Sequence, residues 1–376
     1  MKIAFDLRRV GNPGVGRYMK CLVEAILQLE TDSEYLLLLP PNADDAIGSN
    51  SKQVTQLFPR ARYYSIREQI ELPRILRRQN VALLHSPHFL LPLSCPCPAV
   101  ATIHDVIYLA CPQDLPSRIG RSYYRAMIHA SARRANRIIT VSEFSKGEIV
   151  RYLQIDPQKI TVVHSGIDPT FVPEDDRQNI ESVLSKYAID TDYIFYAGIY
   201  KPRKNHCGLL KAFRHFLGRA GKAQLVISGA IGDGQDQLRR LAEQLGIAER
   251  LVFTGGVSDL DLRVLYSAAR VYACPSLYEG FGFTVLEAMA CGTPVVCSRV
   301  TSLPEIAGNA ALYADAQSAG EFGEALHQAF TKQELRSILR QRGFDNVRRF
   351  RWETVAKACL GIYGQIIETA CASTAA

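Results

Sequence analysis

The sequence predicts an α/β protein that contains two doubly wound parallel sheets. Short apolar runs of strand length alternate with helical patterns along most of the 376 residues, and strands that are separated by helices form parallel sheets. A chain of this length exceeds one ordinary hydrophobic core, so we expect two domains. A segment rich in Pro, Asp and Gly, at 166–179, is the expected linker between them.

Ten apolar runs are predicted to be strands. Five lie before the linker, at 3–7, 35–39, 83–85, 99–103 and 138–141, and five lie after it, at 193–197, 225–228, 251–254, 271–273 and 295–297. A final helical pattern, from about 353 to 369, has no strand after it. We therefore expect a first domain over 1–172 and a second over 173–352.

The composition excludes several classes of protein. Hydrophobic residues make up 47% and charged residues 22% of the chain, which is typical of a globular protein and not of a disordered one. No run of about 18 apolar residues occurs, so no transmembrane helix is expected. The opening MKIAFDLRRV is predicted to form a strand and not a cleavable signal sequence.

The ten cysteines are scattered, and several lie within apolar runs. Cys95 and Cys97 are close together, but a single intervening residue is not the spacing of a zinc site. We therefore expect reduced, buried thiols and a cytoplasmic location.

The positive charge is concentrated in the first half of the chain. The net charge is +7, and residues 1–170 hold 21 Lys and Arg against 15 Asp and Glu. Segment 118–134 alternates arginines with apolar residues at near-helical spacing. It has two interpretations: a basic amphipathic helix that lies on an anionic membrane, or an ordinary core-facing helix with a solvated basic face. We expect no nucleic-acid partner.

The most informative segment is EGFGFTVLE, which begins at Glu279. Its glycines allow a sharp turn and a close approach to a ligand. The amides of Gly282, Phe283 and Thr284 would then lie at a helix N-terminus, where phosphate groups bind. Glu279 and Glu287 would supply hydrogen-bond acceptors around that phosphate site. A nucleotide-sugar, which carries hydroxyls on both sides of its phosphates, is a ligand of this kind.

A glycine-rich loop with Gly11, Gly14 and Gly16 follows the first predicted strand. In a dehydrogenase such a loop cradles a dinucleotide, and an acidic residue ends the second strand. Here the second strand ends in Pro40 and Pro41, and the glycine spacing differs from that fingerprint. The sequence therefore argues against NAD binding, and a tight turn without a ligand remains the alternative.

Two cations follow the first strand of the second domain. Arg203 and Lys204 lie in YKPRKN, between a predicted strand and a predicted helix. Cations at this position could neutralise a leaving pyrophosphate. A solvated surface cluster is the alternative.

Three histidines lie near strand ends in the first domain. His104 and Asp105 end the strand AVATIHD, although a histidine at a strand end is more often a hydrogen-bonded residue than a catalyst. His85 and His88, in HSPH, have a metal-like spacing but no third ligand nearby. We assign no metal to them, and we expect His88 to line the acceptor side or simply to pack.

These segments together resemble the retaining nucleotide-sugar glycosyltransferases, in particular glycosyltransferase family 4. The resemblance rests on the Glu-x7-Glu spacing at 279–287, GNPGVGRY in the first loop, TIHD at 102–105, ITVSEFSKGEIV at 139–150, VVHSGID at 162–168, YKPRKN at 200–205, the run at 252–283 and SLPEIAG at 302–308. It implies the GT-B architecture, in which two Rossmann-like domains face each other across a cleft that holds the ligand. The N-terminal domain is then the acceptor side, completed by a C-terminal helix at about 353–376, and the C-terminal domain binds the nucleotide-sugar.

The resemblance implies roles for the donor-binding residues. Backbone amides at Gly14 and Gly16 would contact the donor pyrophosphate. Glu279 would bind the 3- and 4-hydroxyls of the hexose, and Glu287 the ribose hydroxyls. The loop at Val257 would read the base.

The resemblance also implies the catalytic residues. His104 would face the transferred sugar, and Asp105 would orient its ring. Arg203 and Lys204 would hold the leaving phosphate, although family members often place an arginine where this chain has Ile199. Together with Glu279, these side chains form the expected catalytic set.

The implied reaction is retaining hexosyl transfer without a metal or other cofactor. We expect a front-face path, in which the departing phosphate oxygen takes the acceptor's proton. The first expectation for the donor is GDP-mannose, and for the acceptor a glycan or a polyprenyl-linked glycan of bacterial surface polysaccharide or lipopolysaccharide, made at the inner face of the membrane. The alternatives are a UDP- or dTDP-sugar donor, a related epimerase or phosphorylase, and a non-catalytic partner that binds nucleotide-sugar.

Overall fold

The chain divides into two compact units. The computed structural model describes residues 1–375 except 13, 30, 42, 44–46, 48–52, 191, 221, 231 and 233. One unit consists of Met1–Gly166 together with Phe350–Ala376, and the other is Ile167–Arg349. The chain thus changes unit at 166/167 and at 349/350, where the sequence predicted 172/173 and 352/353.

The N-terminal unit contains a parallel sheet of seven strands in the order β3-β2-β1-β4-β5-β6-β7. The strands are β1 (Lys2–Asp6), β2 (Glu34–Leu38), β3 (Val54–Leu57), β4 (Leu83–Ser86), β5 (Ala99–Thr102), β6 (Arg137–Thr140) and β7 (Ile160–Val162). The helices before the linker are α1 (Val15–Leu27), α2 (Glu68–Arg78), α3 (Ile107–Ala110), α4 (Arg118–Arg134) and α5 (Glu143–Leu153). Ala4 of β1 pairs with Leu36 on one side and Leu84 on the other, and all three are fully buried. Such burial on both faces is typical of a parallel sheet covered by helices.

The C-terminal unit contains a parallel sheet of six strands in the order β10-β9-β8-β11-β12-β13. The strands are β8 (Tyr193–Ala197), β9 (Gln224–Ser228), β10 (Leu251–Gly255), β11 (Val271–Cys274), β12 (Val295–Ser298) and β13 (Ala311–Ala314). The helices are α6 (Arg177–Lys186), α7 (His206–Ala220), α8 (Gly234–Gln244), α9 (Asp259–Ala268), α10 (Phe283–Ala290), α11 (Leu303–Ala307), α12 (Ala319–Thr331) and α13 (Gln333–Val347). The predicted α/β class with two doubly wound parallel sheets is confirmed.

The last helix, α14 (Trp352–Ala375), belongs to the N-terminal unit. Its buried residues Val355, Cys359 and Tyr363 recur every four positions, and the helix packs against α1. The Tyr363 hydroxyl lies 2.6 Å from Nδ1 of His85 in β4. A segment at the end of the sequence thus completes the core of the first unit.

The three strands that the sequence did not predict all lie at sheet edges. β3 and β7 form the two edges of the first sheet, and β13 forms one edge of the second. Most of their residues are half-buried or exposed, since an edge strand packs against fewer neighbours. VTQL and ITV are short and include polar residues, so they lack the apolar signal of the central strands, whereas ALYA is apolar and was missed although it has that signal.

Each sheet has a point where the strand order reverses. In the N-terminal sheet it lies between β1 and β4, and in the C-terminal sheet between β8 and β11. The loops that leave the carboxyl ends of these strands turn to opposite sides and leave a crevice, which is where ligands bind in open α/β sheets. The loops after these four strands are therefore the first places to look for a site.

Helix α4 is a core-facing helix. Tyr124, Ile128 and Ala132 on one of its faces lie in the hydrophobic core of the N-terminal unit, and Met127 packs against that core. The structure thus supports the second interpretation of segment 118–134, and only Ile119, 84% exposed, projects its apolar side chain fully into solvent. No helix among the described residues is long and apolar enough to span a bilayer.

Candidate functional site

The helices that carry the two glycine motifs begin differently from five other helices of the fold. Helices α4, α5, α6, α9 and α12 each begin with a Ser or Asp whose side chain accepts from a backbone amide. Helices α1 and α10 begin at Gly14 and Gly282, which have no side chain to do this. Because the first amides of a helix lack intrahelical partners, these two helices can present theirs to an anion.

The crevice of the C-terminal sheet brings three predicted site residues together. The Lys204 ammonium donates to the Glu279 carboxylate, with Nζ 2.6 Å from Oε1. Arg203 Nη1 lies 3.9 Å from Oε2 of the same carboxylate. Lys204 follows β8 and Glu279 follows β11, so the contact lies where the strand order reverses.

The surroundings of Glu279 keep it ionised. Burial raises the pKa of this carboxyl, but the charges of Lys204 and Arg203 outweigh burial, so the pKa lies below its usual range. The side chains of all three residues are less than one-sixth exposed, at 12–14%. A buried carboxylate held in its charged form accepts hydrogen bonds and donates none.

The turn that carries Lys204 is fixed by Asn205. This residue has a left-handed backbone, with φ 55°, which asparagine tolerates better than most residues. Its side-chain Nδ2 donates to the carbonyls of Pro275 and Ala316, at 3.2 and 2.8 Å. The amide of Leu277 also donates to the carbonyl of Arg203 at 2.7 Å. These bonds tie the YKPRKN turn to the loop after β11.

The loop of Glu279 is clamped by the segment before α11. The buried Ser302 hydroxyl donates to the carbonyls of Glu279 and Phe281, at 2.9 and 2.8 Å. The Glu279 amide donates to Thr301 Oγ1 at 3.2 Å. Neither Ser302 nor Thr301 was predicted individually, because the only signal in this part of the sequence was the SLPEIAG segment as a whole.

Gly282 forms the turn into α10. Its φ of +121° is unfavourable for any residue with a side chain, and a Cβ here would lie 3.0 Å from Leu303 Cδ2. The carbonyl of Gly282 accepts from Val285 and Leu286, so the helical bonds begin at those amides. Phe283 and Thr284, both half-buried, are the first helical residues. The structure thus places the predicted amides at a helix N-terminus.

Glu287 lies in the first turns of α10, on the face that points away from solvent. It is 4% exposed, and its Oε2 accepts from the Tyr266 hydroxyl at 3.0 Å. Tyr266 lies in α9, and no sequence motif predicted its bond to this carboxylate. Val257, the predicted base-reading residue, is half-buried two positions after β10 and directly before the cap of α9.

The glycine loop of the N-terminal unit leads from β1 into α1. Gly14 is exposed and has a φ of +76°. Gly16 lies in the first turn of the helix, where a Cβ would come within 2.0 Å of the Val10 carbonyl oxygen. Only glycine therefore permits this close packing of loop and helix. The amide of Gly16 donates to the backbone carbonyl of Asn12. Of the two amides predicted to contact the pyrophosphate, the one at Gly16 therefore already has a backbone partner.

His104 is held as a neutral imidazole with a defined tautomer. Burial lowers its pKa, more than the Pro87 carbonyl and the Asp105 carboxylate raise it. Nε2 lies 3.1 Å from the Pro87 carbonyl, which can only accept, so the proton is on Nε2. Nδ1 therefore carries a lone pair that can accept from a hydroxyl. The ring packs edge-on against Tyr18, with centroids 4.5 Å apart.

Asp105 makes its hydrogen bond to the backbone. Its Oδ1 accepts from the amide of Ile107 at 3.0 Å, at the start of α3. Its charge still acts on the His104 imidazole, whose pKa it raises. The orientation of the ring comes from Pro87 and Tyr18, so the orienting role assigned to Asp105 stays a prediction.

The other two histidines of the N-terminal unit already have side-chain partners. His85 Nδ1 and Nε2 lie 2.6 Å from the Tyr363 hydroxyl and 2.9 Å from Thr102 Oγ1. Burial lowers the pKa of His85 to about 3. His88 Nδ1 lies 3.1 Å from the Tyr63 hydroxyl, and burial lowers its pKa well below the usual value. Within the described part of the chain, no three His, Cys, Asp or Glu residues are grouped to hold a metal ion.

The predicted site residues form two groups, one in each unit. Arg203, Lys204 and Glu279 are in contact in the C-terminal unit, with the N-terminus of α10 three residues after Glu279. In the N-terminal unit, His104 contacts the segment that carries His88. Charged and acceptor groups beside a helix N-terminus are suited to a phosphate that carries hydroxyl-bearing groups.

Comparison with known proteins shows the family. Residues 180–345 match the family model of glycosyl transferases group 1, and residues 13–171 match that of glycosyltransferase family 4. The chain belongs to this family of glycosyltransferases, and the recognition made from its motifs is confirmed.

Relatives and solved structures agree with this assignment. The chain is 34% identical to O-antigen chain mannosyltransferase B of Escherichia coli, over 96% of this chain and 99% of that protein. It is 25% identical to an O-antigen chain mannosyltransferase of Salmonella typhimurium, over 92% and 96%. The structure of sucrose-phosphate synthase from Thermosynechococcus elongatus has a TM-score of 0.79 at 20% identity, over 98% of this chain and 100% of that chain. The last likeness concerns the fold, which is that of the GT-B glycosyltransferases.

Proposed function

We propose that this glycosyltransferase moves mannose from GDP-mannose to a glycan or polyprenyl-linked glycan during synthesis of a bacterial surface polysaccharide. The mannosyl group is supported by the 34% identity to the O-antigen mannosyltransferase over nearly the whole chain. The contact between Lys204 and Glu279 at the sheet crevice carries the proposal, because a cation is suited to bind phosphate oxygens and the carboxylate beside it is suited to accept from sugar hydroxyls. GDP is proposed as the nucleotide because the motifs resemble those of the bacterial surface-polysaccharide branch of the family.

The pair is suited to the two ends of the bond that breaks. An ammonium has three hydrogen-bond donors, and Glu279 uses one of those on Lys204, so others remain for phosphate oxygens. The carboxylate, kept ionised by its neighbours, accepts from hexose hydroxyls. The N-terminus of α10 adds backbone amides for the same phosphates.

The proposed reaction retains the anomeric configuration by a front-face path. The bond from the anomeric carbon to the phosphate oxygen breaks, that oxygen takes the acceptor's proton, and the acceptor oxygen bonds to the same face. Glu279 is unsuited to be a covalent nucleophile, because its charge is already balanced by Lys204 and Arg203. Those two cations and the α10 N-terminus hold the developing charge, an effect of several kcal/mol in a water-poor site. Catalysis is therefore proposed to need no divalent metal.

His104 is proposed to bind the transferred sugar. Its Nδ1 carries the lone pair, and its Nε2–H is fixed on Pro87. A neutral imidazole in this tautomer accepts from a sugar hydroxyl and does not repel a cationic transition state. Gly14, Gly16 and Val257 keep their proposed donor-binding roles, and His88 its place on the acceptor side.

The protein is proposed to act at the cytoplasmic face of the membrane. Seven large apolar side chains are exposed in the described part of the N-terminal unit, and four of them are Ile66 (84%), Ile70 (49%), Leu93 (47%) and Ile119 (84%). We call these four the apolar rim. The Leu93 amide donates to Gln69 beside Ile70, and exposed arginines at 62, 67 and 118 flank the rim in sequence. Apolar and basic groups together favour anionic lipid, and co-sedimentation with vesicles measures it.

A donor panel tests the proposed function. GDP-, UDP-, ADP- and dTDP-sugars are compared by thermal shift and by release of the nucleoside diphosphate, with and without EDTA. We expect GDP-mannose alone to raise the melting temperature, because a ligand that binds only the folded state stabilises it. Release of GDP should persist in EDTA, and the product's anomeric configuration should match the donor's by NMR.

Two variants make the panel specific to the site. Lys204→Ala should lose the GDP-mannose shift, whereas Lys211→Ala, which removes an exposed cation from α7, should keep it. A response to a UDP- or dTDP-sugar instead would refute GDP-mannose. A thermal shift without release of the nucleoside diphosphate would point to a non-catalytic partner that binds nucleotide-sugar, and loss of activity in EDTA would refute the metal-free path.

A further inference from the structure

A cluster of aromatic rings lies at the crevice of the N-terminal sheet. It consists of Tyr63 and Tyr64 after β3, His88 and Phe89 after β4, and Tyr123 in α4, and we call it the aromatic platform. The crevice lies between β1 and β4, so the loop that carries His88 and Phe89 leaves from its edge. No role for these tyrosines follows from the sequence motifs.

Tyr64 is the centre of the platform. Its ring centroid lies 4.8 Å from that of Tyr63, 6.1 Å from that of Phe89 and 6.0 Å from that of Tyr123. The two tyrosine partners meet it edge-on, and Phe89 is stacked with it. Tyr64 remains 40% exposed, so part of its ring is open to solvent.

The ring of Tyr64 is also held in place by the loop after β1. Arg9, in the loop after β1, donates to the Tyr64 hydroxyl, and its guanidinium lies 5.4 Å from the centroids of both Tyr63 and Tyr64. Tyr64 also has a φ of +66°, which is rare for a bulky residue. A ring fixed before binding loses little entropy when a ligand covers it.

The platform is continuous with His104. The Tyr63 hydroxyl is hydrogen-bonded to His88, and the neighbouring Pro87 carbonyl accepts from His104. A ligand on Tyr64 therefore lies along the same edge of the sheet as the imidazole proposed to bind the transferred sugar. The acceptor must approach that sugar, so this edge is where an acceptor residue would bind.

The chemistry of the platform matches a pyranose ring. One face of a pyranose presents C–H bonds, which pack on an aromatic ring, and its rim presents hydroxyls. Here the exposed tyrosine ring is bordered by the guanidinium of Arg9 and by the ring of Tyr63, whose hydroxyl is bonded to the buried His88; the guanidinium and this hydroxyl can form hydrogen bonds with sugar hydroxyls. A purely apolar ligand would leave these groups without new partners.

We propose that the aromatic platform binds a pyranose of the acceptor glycan, stacked on Tyr64 and bordered by Arg9. This proposal rests on the proposed function, since it names the acceptor side of the same reaction. It assigns Tyr64 and Tyr123 to acceptor affinity and not to donor binding.

Kinetics on Tyr64 variants test the proposal. Tyr64→Leu keeps an apolar side chain of similar bulk without a flat ring, and Tyr64→Phe keeps the ring without the hydroxyl. Both retain a Cβ, so the strained backbone is the same in all three proteins. The acceptor probe is an α-linked mannobiose with an octyl aglycone, and far-UV circular dichroism checks folding.

We expect Tyr64→Leu to raise the acceptor KM about tenfold and Tyr64→Phe to stay near the wild type. GDP release without acceptor should be the same in all three, because donor binding does not use this ring. Tyr123→Leu supplies a second variant, with a smaller rise in KM, should Tyr64→Leu not fold. An unchanged acceptor KM in both leucine variants would overturn the platform and leave the proposed function intact.

A binding measurement separates failure of the platform from failure of the function. Saturation-transfer NMR with methyl α-mannoside should show the strongest transfer to the C–H face of the ring, and Tyr64→Leu should remove it. This readout does not depend on the donor. Should the wild-type protein hydrolyse no nucleotide-sugar, the proposed function fails, and the presence or absence of this Tyr64-dependent signal still decides the platform.

Discussion

At the scale of single residues, one carboxylate links the two halves of the proposed chemistry. Glu279 contacts both cations of the YKPRKN turn, and its own loop is clamped by Ser302. Its position is therefore fixed by contacts that do not involve a ligand. Removing the charge of the Glu279 carboxylate should therefore lower the catalytic rate more than it lowers the stability of the fold.

Glu279→Gln keeps the shape of the side chain and removes its charge. We expect kcat/KM for GDP release to fall by about 10-fold to 100-fold, since hydrogen bonds to a charged group contribute about 1.5–3 kcal/mol. Glu353→Gln is the matched control, because it removes a carboxylate from the exposed pair with Lys357. Steady-state kinetics measure both, and equal activity of the two variants would refute the role of Glu279.

At the scale of elements, helix α4 has one face buried in the core, and Ile119 near its start is exposed. The apolar face that the sequence offered to a membrane is buried in the core, and the side chains of the apolar rim come from three separate segments. The apolar rim is thus a product of the fold and not of one amphipathic helix. Its contribution to membrane binding can be tested without disturbing the core.

Replacing Ile66 and Ile119 by Ser should weaken binding to anionic vesicles at least about tenfold, since each exposed side chain loses its transfer into lipid. Leu260→Ser is the control, because Leu260 is also exposed, at 63%, but lies in the C-terminal unit. Co-sedimentation with phosphatidylglycerol vesicles measures the change. Equal vesicle binding by the wild type and the double variant would refute a role of the apolar rim in membrane binding.

At the scale of the whole molecule, buried neutral histidines make folding sensitive to acid. Burial lowers the pKa of His85 to about 3 and that of His206 to about 4, and it lowers those of His88 and His104 as well. Protonation at these sites is easier in the unfolded chain than in the folded one. Stability should therefore be complete above about pH 6.5 and fall as the pH falls below that value.

His85→Gln tests this dependence, because glutamine can bond Tyr363 and Thr102 but does not titrate. Between about pH 6.5 and pH 4 the wild type should lose stability more steeply than the variant, by up to about 1.4 kcal/mol per pH unit. His215→Gln, at an exposed position, should keep the wild-type slope. Urea unfolding at several pH values measures the slopes, and parallel curves for wild type and His85→Gln would contradict the argument.

The sequence predicted the central parts of this fold and missed its margins. A central strand such as β8 is apolar throughout because both of its faces are covered, whereas the edge strands β3 and β7 are partly exposed and include polar residues. The contact of Lys204 with Glu279 agrees with what their motifs suggested, since both follow strands at one crevice.

Other parts of the site depend on packing between distant segments. Tyr266 holds Glu287 across 21 positions, and Ser302 binds the Glu279 carbonyl across 23. Arg9 and Tyr64 meet across 55 positions. Ser, Tyr and Arg are common residues without a distinctive spacing, so no local pattern marks these partners. Contacts of this kind become visible only when the fold is known.

The placement of α14 has a consequence for synthesis on the ribosome. The N-terminal unit needs residues 350–376 for its core, and these emerge after the whole of Ile167–Arg349. Until then the first unit is incomplete, and the surface against which Val355, Cys359 and Tyr363 later pack is exposed. The second unit can already fold during this time. The order in which the units mature is thus the reverse of the order in which they begin, and that surface stays uncovered until α14 has been synthesised.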